Sequence, residues 1–257
     1  MIKKQLHIVI IGTGKVAHHL GLELKRIGYT IESIWGRNEN KAEELSKTLN
    51  TKVLSNLDRL PSYSLALICV SDGAISEVIS QIQKDIKVAY TSGSVRIEDL
   101  PKRENLGVFY PLQSFSNDKE VDISTVPFLI EATSEPFEIE LKELAESLST
   151  KVILANSEDR YNTHIAAVIV NNFTNFLYHL AEEHLKEHNL DFDLLKPLIK
   201  ETVSKLDELS PIEAQTGPAT RGDKNIIQKH LDDISRPETK KIYQLFSQLI
   251  EKEIKKS

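Results

Sequence analysis

Cysteine is almost missing from this chain: Cys69 is the single one in 257 residues. One thiol excludes an internal disulfide and a cysteine-built zinc site, which suits a reducing, cytoplasmic setting. No metal site is expected. Cys69 lies inside the apolar run of residues 65–70, so it reads as a small core residue rather than a nucleophile. An excess of basic charge is also missing. Lys and Arg number 32 against 38 Asp and Glu, a net charge of −6, so there is no basic face for nucleic acid. Long apolar runs are missing too, and no segment approaches the length of a membrane span. Lys3 and Lys4 precede an apolar stretch in the manner of a signal peptide, but only about six residues separate that start from Gly12, too few for a hydrophobic region of that kind. What remains is ordinary globular composition, with ample length for one large or two modest domains.

The most informative stretch that is present opens the chain. Residues 6–11 are rich in Ile and Val and read as a buried parallel strand. Gly12, Gly14 and Ala17 follow in G-x-G-x-x-A spacing, and a helical pattern runs on to about residue 27. Gly12 lets the chain turn sharply out of the strand. Gly14 lets a pyrophosphate approach the backbone. Ala17 keeps the helix close to the sheet. The leading amides and positive dipole end of the helix then hold the phosphates. Gly12, Thr13, Gly14, Lys15 and Val16 are therefore cofactor-binding candidates, although the Lys15 and Arg59 side chains read as solvated.

Strand and helix signals alternate onward. Strands are expected at residues 30–35, 52–54, 65–70 and 86–90, and helices at 41–49 and 74–82, the latter capped by Ser71 and Asp72. Such alternation predicts an α/β fold, a doubly wound parallel sheet with helices on both faces. Residues 106–110, 127–131 and 151–154 read as further strands and 138–148 as a helix. From residue 157 strand signals cease. A helix without Pro or Gly is expected over 158–186, a second over 192–206 with Pro197 either in its first turn or kinking it, and closing helices over 224–234 and 238–255. The domain reading is a nucleotide-binding domain over 1–155 and an all-helical substrate and dimerisation domain over 156–257.

Ligands of such sheets lie beyond the carboxyl ends of the strands. The second strand ends in Gly36-Arg37-Asn38, where an NAD site offers an acid for the ribose hydroxyls; Glu32 lies too early, inside the strand. Arg37 can pair with a 2′-phosphate, with Asn38 beside it, so NADP is expected over NAD. Val70, Ser71 and Ser92 end the fourth and fifth strands and complete the cofactor set. On the long helix, His164, Asn171 and Asn175 are separated by intervals of seven and four and so share a face. Buried amides there would need partners, since unpaired burial costs about 1–3 kcal/mol. His164 reads as either a hydrogen-bonded interface histidine or a proton donor. In the loop of residues 216–223, Arg221 reads as an anion clamp and Asp223 as a cap of the next helix. Gln113 is a candidate cleft contact.

These segments together resemble a known family that joins a Rossmann-like NADP-binding domain to a helical domain catalogued as domain of unknown function 2520. Its members are described as similar to deazaflavin-coenzyme-dependent NADP oxidoreductases. Gly12-Thr-Gly-Lys-Val-Ala17, Thr91-Ser-Gly-Ser94, Tyr110-Pro-Leu-Gln-Ser-Phe115, His164-Ile-Ala-Ala-Val168 with Asn171-Asn172, and Thr216-Gly-Pro-Ala-Thr-Arg-Gly-Asp223 carry the resemblance. Where the family shows His-Pro, this chain has Tyr110-Pro111, which argues against a catalytic role there. More distantly, the layout is similar to 6-phosphogluconate dehydrogenases, β-hydroxyacid dehydrogenases and pyrroline-5-carboxylate reductases, which implies an active site between domains and a homodimer through the helical parts. The lysine that β-hydroxyacid dehydrogenases use falls at Val168 here, so that chemistry is not carried over.

The resulting expectation is an NADP(H)-dependent oxidoreductase of a small carbonyl or imine substrate. His164 would donate a proton or orient the carbonyl, Asn171 and Asn175 would hold the substrate, and Arg221 would pair with a substrate anion, within a subunit or across the dimer. The rival reading is a non-catalytic NADP-binding sensor or assembly module. A methyl-donor enzyme is disfavoured, because its site wants an acid where Arg37 stands.

Overall fold

The computed structural model describes residues 6–116 and 119–256; Lys3 and Lys4 lie outside the described residues. Strand β1 (His7–Ile11) leads through the glycine turn into α1 (Lys15–Arg26). There follow β2 (Thr30–Trp35), α2 (Glu39–Thr48), the short β3 (Lys52–Val53), β4 (Ser64–Ile68), α3 (Ile75–Gln81) and β5 (Lys87–Tyr90). Then come β6 (Leu106–Pro111), β7 (Phe128–Ala132), α4 (Glu135–Glu146) and β8 (Val152–Leu154). Helix α4 begins earlier than the sequence reading because Pro136 stands in its first turn, where its missing N–H and fixed φ are tolerated. Ser71 and Asp72 do not cap α3 through their side chains. The 3-10 turn Asp72–Ala74 intervenes, and the Asp72 carboxylate accepts a hydrogen bond from the Ser94 hydroxyl instead.

Among the described residues the strands form one sheet in the order β3-β2-β1-β4-β5-β6-β7-β8. Its first six strands have the doubly wound Rossmann order. Successive strand residues point to opposite faces. Ile8, Ile10, Leu65 and Leu67 pack with α1, α2 and α4 on one side. Val9, Ile11, Ala66 and Ile68 pack with α3 on the other. Each fully buried Ile, Leu or Val among them contributes about 1.5–3 kcal/mol. The expected all-parallel sheet needs one correction: β6 and β7 are antiparallel. The connection between them carries only the 3-10 turn Ile123–Thr125 among its described residues, so the chain returns along the edge of β6 instead of crossing a face.

The expected helix over 158–186 is broken. It comprises α5 (Ser157–Ala167), a π-helical segment (Val168–Phe173) and α6 (Thr174–Glu187). Val168, Ile169 and Val170 are three β-branched residues in a row, which crowd an α-turn, and the π-turn spaces its hydrogen bonds one residue wider. Helices α7 (Lys196–Ser204), α8 (Lys224–Asp233) and α9 (Pro237–Ile254) complete the chain. Pro197 stands in the first turn of α7, and Asp223 caps α8 by accepting from the Ile226 amide at 3.2 Å, both within what the sequence allowed. None of the helices among the described residues is long and apolar enough to cross a membrane.

Contacts divide the chain into two compact units, Met1–Asn171 and Asn172–Ser257, whereas the composition changes near residue 156. Arg160 accounts for the difference. It is 1% exposed and ties α5 to β5 and β7 of the first unit. In the second unit only Leu180 and Ala219 are buried hydrophobics among the described residues.

Candidate active site

The strand order reverses between β1 and β4, and Gly12 stands at that point. Its φ is +131°, and a Cβ there would lie 2.2 Å from the Cys69 carbonyl oxygen, so no side chain fits. At Gly14, by contrast, no atom lies within 4 Å of where a Cβ would stand. Gly14 is the N-cap of α1 and offers its amides no side-chain acceptor, and the first turn holds no acid. Helices α2, α5 and α8 are each capped by a side chain, from Asn38, Asn156 and Asp223, whereas α3, α4, α6, α7 and α9 share with α1 the lack of one. Helix α1 thus keeps its leading N–H groups and positive dipole end uncompensated beside open space, which suits a dinucleotide diphosphate. Val16 packs against the core and orients this turn.

At the end of β2, Arg37 is exposed and makes no hydrogen bond or ion pair with any described residue. Glu32 is engaged with His7 across β1 and β2 and does not reach the strand end. Asn38, expected beside the cofactor, has its carbonyl oxygen committed to the Lys41 amide at 3.0 Å. A cleft of about 480 Å³ opens between α1 and α2, lined by Thr13, Gly14, Lys15, His18, Lys41 and Glu44. Burial, with the neighbouring His19, holds the His18 imidazole below its ordinary pKa. Lys41 is a cation that sequence reasoning passed over; it lies one helical turn beyond the strand-end pair. Buried Cys69 has its thiol pushed up to about 12 by desolvation, which a Thr91 hydrogen bond only partly opposes, so it is no nucleophile.

A second cluster gathers at the carboxyl ends of β4, β5 and β6. The Tyr110 hydroxyl and His164 Nδ1 are 3.0 Å apart, with the rings edge to face. Gly93 makes that meeting possible: a Cβ there would stand 2.6 Å from Tyr110 Cζ and 2.8 Å from His164 Nδ1. Desolvation and then the Asp72 carboxylate raise the Tyr110 pKa, with Arg160 opposing, so the phenol keeps its proton. With the phenol donating to Nδ1, the imidazole carries its own proton on Nε2. The loop around Gly93 is held from several sides. Ser92 Oγ accepts from the amides of Ser94 and Val95, both at 3.1 Å. Arg160, one turn before His164, donates to the Val95 carbonyl at 2.6 Å and to the Tyr90 hydroxyl at 3.3 Å, and forms an ion pair with Glu131. Ser92, expected beside the cofactor, therefore spends its hydroxyl on its own turn.

Residues 7–90 match the family described as NADP oxidoreductase, coenzyme F420-dependent, and residues 126–250 match domain of unknown function 2520. The Bacteroides fragilis protein BF3122, a candidate NADP oxidoreductase, is 38% identical over 96% of this chain and 98% of its own, with a TM-score of 0.88. The chain belongs to this NADP oxidoreductase family. Its fold extends to more distant proteins. A 1-pyrroline-5-carboxylate reductase from Streptococcus pyogenes is 13% identical over 96% of this chain and 98% of its own, with a TM-score of 0.66. A reductive aminase from Aspergillus terreus, in complex with NADPH and ethyl levulinate, is 11% identical over 90% of this chain and 78% of its own, with a TM-score of 0.61. No curated protein matches the chain.

The remaining expected residues are distributed unevenly. Val70 is half-buried and Ser71 exposed at the end of β4. Gln113 is exposed and accepts the Ser114 amide with its own side chain. Asn171 lies in the π-segment, and Asn175 follows it in α6. Both are exposed, so the argument that buried amides require partners does not apply to them. Arg221 is exposed in a loop of the second unit, without a side-chain partner among the described residues. Tyr110 is the residue the sequence reading set aside; its signal was its place at a strand end, aligned with the ends of β4 and β5.

Proposed function

We propose that the chain is an NADP(H)-dependent oxidoreductase of a small imine or carbonyl compound, with His164 as proton donor and Tyr110 as the residue that positions it. One observation carries this reading. The Tyr110–His164 pair and the open terminus of α1 lie at the same edge of the sheet, because β1, β4, β5 and β6 run parallel. The α1 amides bind the diphosphate. Arg37, free of other partners among the described residues, pairs with the 2′-phosphate, with Lys41 close by in the adjoining cleft. Val70 and Ser71 border the nicotinamide. Bound NADPH would supply the hydride that goes to the carbon of the C=N or C=O bond. His164 Nε2–H supplies the proton taken up by the nitrogen or oxygen while the Tyr110 hydroxyl passes its own proton to Nδ1, so the ring stays neutral and the phenolate is then reprotonated from solvent. The relatives named for pyrroline-carboxylate reduction and reductive amination favour an imine over a simple ketone. The test compares wild type and His164→Ala by calorimetry with NADPH, then by loss of NADPH absorbance against a panel of cyclic imines and ketones. Equal NADPH binding and a loss of roughly 10²–10⁴-fold in turnover are expected of the variant. NADPH binding by wild type with no compound reduced would replace this reading by the sensor.

We also propose a homodimer through the helical unit. Its hydrophobic side chains, Phe176, Leu194, Leu198, Leu245 and Leu249 among them, are exposed, and it buries too few to stand uncovered. Sedimentation should give twice 29.1 kDa. A single species at the monomer mass refutes the dimer.

A further inference from the structure

The last turn of α6 carries His184 and Glu187, and His188 is its C-cap; their spacing of three and four residues puts them on one face. One donor atom from each lies within 4.8 Å of those of the other two. The two imidazole rings are 4.7 Å apart, centroid to centroid. Each of two ligands is already held by a neighbour. The His188 Nδ1 lies 2.9 Å from the His184 carbonyl oxygen, so Nδ1 must be the donor and the lone pair is left on Nε2. Glu187 accepts from the Ser235 hydroxyl at 2.6 Å with one carboxylate oxygen, which leaves the other free. A ligand histidine whose second nitrogen donates to a backbone carbonyl is the usual outer arrangement of a metal site. The position is also favourable electrostatically, since the carboxyl end of a helix carries partial negative charge. His184 and His188 line a cavity of about 770 Å³ within the second unit, together with His230 and Asp233. His230 Nδ1 is likewise engaged, 2.8 Å from the Tyr243 hydroxyl.

We propose that His184, Glu187 and His188 bind a divalent ion of the zinc class, with the coordination left open on the side of the cavity. Two imidazole nitrogens and one carboxylate oxygen are the donor set such an ion takes. Ligands in a tetrahedral zinc site stand about 3.3 Å from one another, so binding draws the three side chains together by small rotations. Because Ser235 lies between α8 and α9, the ion braces the end of α6 against that connection. A cap by His188 alone would account for its bond to the His184 carbonyl. It would account neither for the approach of the second imidazole nor for the fixed carboxylate.

The test uses tag-free, full-length protein stripped with chelator and titrated with Zn²⁺ by calorimetry. One equivalent per chain is expected. His184→Ala, and His188→Asn, which keeps a polar group near the carbonyl, should each weaken binding roughly tenfold or more. His179→Ala should bind as wild type does, since His179 belongs to the neighbouring group with Glu182 and Glu183. Far-UV circular dichroism of every variant must match wild type, and Co²⁺ in place of Zn²⁺ should show the intense visible bands of a low-coordinate site. Absence of stoichiometric binding, unchanged binding in both His184→Ala and His188→Asn, or loss confined to His179→Ala would overturn the proposal. NADPH titration of the same samples keeps this outcome separate from the nucleotide reading.

Discussion

Replacing Arg160 by Met should be the most damaging single change in the first unit. The guanidinium is 1% exposed and reaches Glu131, the Val95 carbonyl, the Tyr90 hydroxyl and the Ser157 hydroxyl. Its removal leaves the Glu131 carboxylate, itself 13% exposed, without its counter-charge and the Val95 carbonyl without one of its donors. Breaking a buried pair from one side costs about 3–5 kcal/mol, because a charge is left stranded, whereas removing both charges costs much less. At roughly 2–4 °C per kcal/mol for a chain of this size, the melting midpoint should fall by about 6–20 °C. Adding Glu131→Gln, which still accepts from the Ser157 amide, should recover part of that loss. Thermal and urea unfolding of wild type, both single variants and the double variant check the cycle. If Arg160→Met costs less than about 1 kcal/mol, or the double variant is as unstable as the two losses added, the buried pair is not what anchors α5.

Arg37→Asp should weaken NADPH roughly tenfold, the loss of one charge-assisted contact at an exposed site, and leave NADH unchanged. Trp35, the single tryptophan, ends the same strand and reports both titrations by fluorescence, and an equal loss for both nucleotides refutes the 2′-phosphate contact. Tyr110→Phe should leave NADPH affinity intact, lower turnover roughly tenfold and let the His164 ring populate both tautomers by nitrogen-15 NMR; a single unchanged tautomer would show that the phenol does not position it. Cys69 should resist thiol reagents at pH 8 until the protein unfolds. With the folded thiol at about 12 against an ordinary 9.0, the native state keeps a proton that the unfolded chain releases, so stability should decline as pH rises from about 9 to about 12. A Cys69→Ala variant should lack that component of the decline.

Much of the architecture was legible because it is local. Ile and Val runs, glycine spacing and caps act within a few residues, so β1, α1, β2 and the Asp223 cap were read in place. The strand–turn–helix order implied the dinucleotide site before any distance was known. The break in the long helix was not legible, since no Pro or Gly marks it and only the crowding of Val168, Ile169 and Val170 hints at it. Asn38 and Ser92, expected beside the cofactor, both use their side chains on their own backbone, a local choice that competes with ligand binding. No metal site was expected from the sequence; the His188 tautomer is held locally by the His184 carbonyl, but the fixed Glu187 carboxylate depends on Ser235, far along the chain.

The order of residues alone determined the sheet-building pattern, the open helix terminus and a cation at the end of β2, because each depends on neighbours in the chain. Only tertiary structure decided that Tyr110 meets His164, 54 positions away, through the gap left by Gly93, and that β7 reverses direction. Such contacts depend on where strands end in space, which no local preference encodes.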